Sequence, residues 1–88
     1  MKGRSYFIDG ELYSFRSRSI RIMGHSTSLR IENQYWKVLE MIAEKEETTL
    51  PELVSSIYLK ANEDGLNYHN FTSLLRLYCL RYVEEECR

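Results

Sequence analysis

The stretch HSTSLRIENQYWKVLEMIA, residues 25–43, changes its period half-way, and that change limits what the chain can fold into. Thr27, Leu29 and Ile31 alternate with Ser26, Ser28 and Arg30, whereas Tyr35, Val38, Leu39 and Ile42 recur every three or four residues. Alternation marks a strand with one dry face, and the longer spacing marks an amphipathic helix. A short strand therefore runs almost directly into a helix. A strand left alone carries unpaired N–H and C=O groups along both edges, so it must find a partner. One solution is the same strand of a second copy, antiparallel across a twofold axis. The other is residues 19–23, SIRIM, folding back through Gly24-His25 in a type II′ turn. That register sets Ile22 opposite Thr27 and Ile20 opposite Leu29. Periodicity accommodates both.

Three helices are expected downstream. The first spans about 33–46, with Tyr35, Trp36, Val38, Leu39, Ile42 and Ala43 as its apolar stripe. Thr49-Leu50-Pro51-Glu52 is a capping-box pattern that opens a second helix, which buries Leu50, Leu53, Val54 and Ile57 and runs to about Ala61. Asn62 to Gly65 is a stop signal. Asn70 or Thr72 caps a third helix to about Glu85, striped by Phe71, Leu74, Leu75, Tyr78 and Tyr82. Upstream, Asp9-Gly10 within SYFIDGELYSF predicts a small hairpin or an arm, and RSRS at 16–19 a basic connector. The organisation expected is an arm over residues 1–18 and one domain over 19–88, mainly α with one short N-terminal strand.

The formal net charge is -1 over 88 residues, but it is divided unevenly. Residues 1–30 carry six basic and two acidic side chains, and residues 31–88 six basic and eleven acidic. A positive end on a negative body suits a protein that lays one edge on a polyanion. No apolar run approaches the roughly 20 residues that span a bilayer, and no apolar signal-peptide core follows Met1. Cys79 and Cys87 lie eight apart on one helix, too far for a bridge within it, which fits a reducing cytoplasm. With His25 and His69 they match no metal-ligand spacing, so no metal or cofactor is expected. There is no Ser/His/Asp set, phosphate loop or carboxylate pair that would indicate an enzyme.

Strand, helix, turn, helix, in the stretch STSLRIENQYWKVLEMIAEKEETTLPELVSSIYLKA at 26–61, resembles the ribbon-helix-helix DNA-binding superfamily of Arc/MetJ/CopG-type repressors. The preceding SIRIMGH and the late NFTSLLRLYCLRYVEEE extend the likeness to the subgroup with a third, C-terminal helix. The resemblance implies an intertwined homodimer whose two strands form one antiparallel ribbon, with Thr27, Leu29, Ile31, Trp36, Leu39, Leu53 and Ile57 in the dimer core. It implies a transcriptional regulator of the repressor type that binds double-stranded DNA, with Ser26, Ser28 and Arg30 reading bases in the major groove. It places weaker phosphate contacts at Thr49 and Leu50, where a helix N-terminus presents free N–H groups. Pro51 and Glu52 depart from that pattern, one lacking an N–H and the other adding a negative charge. Arg16, Arg18, Arg21 and His25 are expected as further, weaker phosphate contacts. Two alternatives stand beside this reading. One is an antitoxin-type protein that also grips a protein partner through the third helix or its acidic end, and the other a protein-interaction module that never touches DNA.

Overall fold

The computed structural model describes residues 10–65 and 71–86. One helical turn, α1 (Gly10–Tyr13), leads into β1 (Phe15–Ile22) and β2 (His25–Glu32). Three helices follow: α2 (Asn33–Lys45), α3 (Leu50–Glu63) and α4 (Phe71–Glu86). The order of strand, helix, helix and C-terminal helix is the one the sequence predicts. The hairpin expected around Asp9-Gly10 is replaced, over the described part, by α1. Residues 5–9 of it, with Tyr68, His69, Asn70 and Cys87, lie outside the described residues.

The strand count is corrected. β2 is not a lone strand: β1 of the same chain pairs with it antiparallel along eight residues, from Phe15 opposite Glu32 to Ile22 opposite His25. The RSRS stretch lies inside β1 and is not a connector, so the boundary expected at residue 18 falls within a strand. The register differs by two residues from the fold-back alternative, with Ile22 opposite His25 and Ile20 opposite Thr27. The turn is therefore Met23-Gly24, with φ of 52° and 83°. Two successive left-handed residues make a type I′ turn, whose twist matches that of the flanking strands. A shift of two preserves every side chain's face, so Ile20, Ile22, Leu29 and Ile31 still point into one core.

A two-stranded sheet is marginal until something covers one face. Here α2 and α3 do so. Trp36, Leu39, Ile42, Val54 and Leu75 are almost wholly buried, in one core cluster with the sheet's inner residues. The indole N–H of Trp36 donates to the Arg16 carbonyl at 2.8 Å, and the Ser55 hydroxyl to the Arg21 carbonyl at 3.1 Å. These two bonds tie α2 and α3 to β1. Of the residues assigned to a dimer core, Leu29, Ile31, Trp36, Leu39, Leu53 and Ile57 are buried by this chain's own elements, and Thr27 is half-buried. Tyr58 and Phe71 meet edge to face, with centroids 5.5 Å apart, which seats the start of α4 on α3. Cys79 is buried on α4 beneath α2, and burial pushes its thiol up to about 12, so it is a packing residue.

The far end of β2 is fastened to α4 by Arg76, whose Nε donates to Glu32 at 2.9 Å. Burial pushes the Glu32 carboxyl up, but its backbone N–H and the Arg76 guanidinium together hold it below the usual carboxylate range. A lowered native pKa gives stability that is present above the unfolded value, 4.5, and lost as the pH falls through the native one. Glu32→Gln is therefore expected to cost about 1 kcal/mol at neutral pH and much less near pH 3. Thermal melts of both proteins at the two pH values measure this, and a gap that persists in acid contradicts it.

Candidate nucleic-acid interface

The hairpin has an inner face on the helices and an outer face in solvent. Residues directly opposite in an antiparallel pair share a face. Ser26, Ser28 and Arg30 therefore stand beside Arg21, Ser19 and Ser17 respectively, and all six are exposed. The alternation in β2 predicts its half of this surface. On β1, Arg21 is named by the sequence reading as a phosphate contact, whereas Ser17 and Ser19 are additions that it misses.

The Ser19 and Ser26 hydroxyls share a hydrogen bond of 2.6 Å across the strands. The Arg21 guanidinium turns back to the Gly24 carbonyl at 3.1 Å, fixing its charge near the turn. Arg30 lies over the Phe15 ring, its guanidinium carbon 4.7 Å from the centroid. Ser26 and Arg30 are four residues apart on one strand, so the face runs for roughly 13 Å between them.

The other expected contacts fall differently. Arg18 is on the inner face, opposite Leu29. It is ion-paired to Glu40 at 2.6 Å and lies 5.4 Å from the Trp36 ring centroid, so its charge is already used. Arg16 is exposed at the start of β1 and His25 beside the turn. The start of α3 is closed by its own cap. The Thr49 hydroxyl accepts from the Glu52 N–H at 3.3 Å. Glu52 in turn accepts from the Thr49 N–H at 3.4 Å and the Thr48 hydroxyl at 2.9 Å. Those hydrogen bonds, the Thr48 one foremost, hold the Glu52 carboxyl below its usual range. A phosphate approaching Thr49 and Leu50 thus meets a carboxylate where free N–H groups were expected. Among the described residues no group of three or more His, Cys, Asp or Glu side chains is placed to hold a metal.

Residues 15–83 match the ribbon-helix-helix domain family. This chain belongs to that family. Ribbon-helix-helix proteins are DNA-binding regulators that generally act as dimers, on a fold that is not an enzyme scaffold. An uncharacterized protein from Bordetella pertussis Tohama I has a similar structure, with 36% sequence identity and a TM-score of 0.82 over 91% of this chain. The ribbon-helix-helix chain described here spans 64% of that protein's length. No curated protein matches it. No helix among the described residues is long and apolar enough to cross a membrane.

Proposed function

We propose that this ribbon-helix-helix protein is a sequence-specific, repressor-type transcription regulator of the cytoplasm that acts as a homodimer and reads duplex DNA with the outer face of its hairpin. The observation that carries the reading is the exposed Ser26-Ser28-Arg30 row, backed by Ser17, Ser19 and Arg21 on the neighbouring strand.

Dimerisation uses the edge of β2 that β1 leaves open. The sheet has two strands, in the order β1-β2. A two-residue hairpin closes on a hydrogen-bonded pair and alternates from there. Thr27, Leu29 and Ile31 thus bond to β1, and the backbone groups of Ser26, Ser28 and Arg30 face outward. An open row of that kind is a template for another strand, and a second β2 across a twofold axis satisfies it. The product is a sheet of four strands with the two β2 strands at its centre. Its outermost strands are roughly 14 Å apart, wider than the major groove, which is about 12 Å. The central strands enter the groove, and β1 rides against its walls. Arg30, whose fork matches guanine O6 and N7, supplies base discrimination. Arg21, Ser17 and Ser19 meet the phosphates, whereas Arg16 and His25, exposed but paired with the inward Ile31 and Ile22, reach phosphates only from the two ends of the hairpin. Arg18 contributes little because Glu40 neutralises it, and Thr49 and Leu50 because Glu52 caps their helix.

Selection of bound duplexes from a random pool tests this, run beside sedimentation. The expected outcome is a short, nearly palindromic consensus containing guanine, bound by a dimer. Affinity for it falls steeply with salt, since each neutralised phosphate releases a counterion. Recovery of unenriched sequence, or a chain that stays single while bound, contradicts the reading.

A second reading adds a protein partner on α4, in the manner of an antitoxin. Leu77 and Leu80, 57% and 52% exposed, give that helix an apolar outer side, and Glu84, Glu85 and Glu86 give it an acidic end.

A further inference from the structure

One side chain on the outer face does not fit its polarity. Phe15 is 46% exposed at the end of a row of serines and arginines, opposite Glu32. It pairs with Glu32, and Ser17 pairs with Arg30, so Phe15 stands diagonal to Arg30, a separation that an aromatic ring and a long side chain bridge.

Among the described residues three arginines lie against aromatic rings, and they are not alike. Arg18 has the Trp36 ring and the Glu40 carboxylate. Arg76 has the Tyr35 ring and the Glu32 carboxylate. Arg30 has the Phe15 ring at 4.7 Å and, among the described residues, no carboxylate in ion-pair range. The first two are neutralised and serve the fold. Arg30 is restrained yet keeps its full charge, facing solvent. A guanidinium held against a ring is attracted by the ring's quadrupole, and its N–H edge stays free for a planar acceptor. A free arginine must give up its rotamer freedom when it docks, and the ring removes part of that loss beforehand.

We infer that Phe15 is a positioning residue, which presents Arg30 to the edge of a base and thereby sharpens discrimination without itself contacting the base. The inference rests on Arg30 reading DNA, as proposed above. It explains why an apolar ring stands at the end of a surface whose other members, Glu32 apart, are serine and arginine. It also gives β1 a part in specificity beyond contact with phosphates.

The test is a double-mutant cycle on the full chain. Wild type, Phe15→Leu, Phe15→Tyr, Arg30→Ala and Phe15→Leu/Arg30→Ala are titrated against the selected duplex, single-base variants of it, and unrelated DNA. An exposed cation–π pair corresponds to about two- to fivefold in an equilibrium constant. Phe15→Leu is expected to lose that factor in discrimination at the base Arg30 reads, with melting temperature and binding to unrelated DNA unchanged. Phe15→Tyr keeps the ring and restores it, and Phe15→Leu changes nothing further once Arg30 is alanine. Discrimination by Phe15→Leu equal to wild type overturns the inference. So does an equal loss on all DNA, or the same loss in the Arg30→Ala background. If wild type itself shows no sequence preference, the DNA reading fails and this inference with it. If Arg30→Ala relaxes preference and Phe15→Leu does not, this inference alone fails.

Discussion

Trp36→Ala is expected to leave the domain barely folded. Trp36 is 1% exposed, at the junction of α2 and the sheet. Its indole N–H satisfies the Arg16 carbonyl at 2.8 Å, and its ring lies under the Arg18 guanidinium that pairs with Glu40. Truncation removes the largest fully buried side chain and leaves a cavity, at a cost of about 3–5 kcal/mol. It also strands a carbonyl and frees Arg18 from one of its two partners. Total stability for a domain of this size is roughly 5–15 kcal/mol, so the loss takes a large share of it. Trp36→Phe keeps a ring but not the donor, and is expected to cost less than half as much. Trp36 is the sole tryptophan, so far-UV circular dichroism in a urea titration is the suitable measurement. A midpoint for Trp36→Ala close to wild type would mean that the sheet is not seated on α2 as described.

Arg30→Ala is expected to do the opposite, sparing the fold and damaging recognition. Arg30 is exposed, and the contact that holds it is the Phe15 ring. Removing it should move the melting temperature little. A bidentate arginine–guanine pair carries about 1–3 kcal/mol of discrimination. Affinity for the selected duplex should therefore fall by about fivefold or more, while affinity for unrelated DNA falls only by the loss of one charge. The ratio of the two affinities at fixed salt is the quantity to measure. An unchanged ratio would remove Arg30 from base readout.

The contrast between these two residues bears on what the sequence makes legible. Period alone separates β2 from α2 and assigns Leu29 and Ile31 inward and Ser28 and Arg30 outward, as observed. The Thr49 and Glu52 capping box is equally plain, because both halves of its hydrogen bonding are written in the residue types. The last residues of β1 alternate visibly in SIRIM, but its first half is hidden for a physical reason. Two of its inward positions are Arg16 and Arg18, which read as polar. Arg18 takes that position by laying its charge over Trp36 and onto Glu40, across about 20 residues of sequence. No local pattern reveals such a partner. The register is hidden too, since a two-residue slip leaves both faces intact, and methionine does not announce the left-handed turn that Met23 adopts. Half of the outer face is therefore visible from β2, and the rest appears only once β1 is paired to it.

The central claim is that the outer face of the hairpin sits in the major groove with Arg30 on a guanine. Replacing guanine by 7-deazaguanine, one position at a time in the selected duplex, removes the N7 acceptor from that groove and leaves Watson–Crick pairing intact. Wild type should lose about tenfold in affinity at one guanine per half-site, and Arg30→Ala should lose nothing at the same positions. Equal binding of wild type to the natural and every substituted duplex would contradict the account.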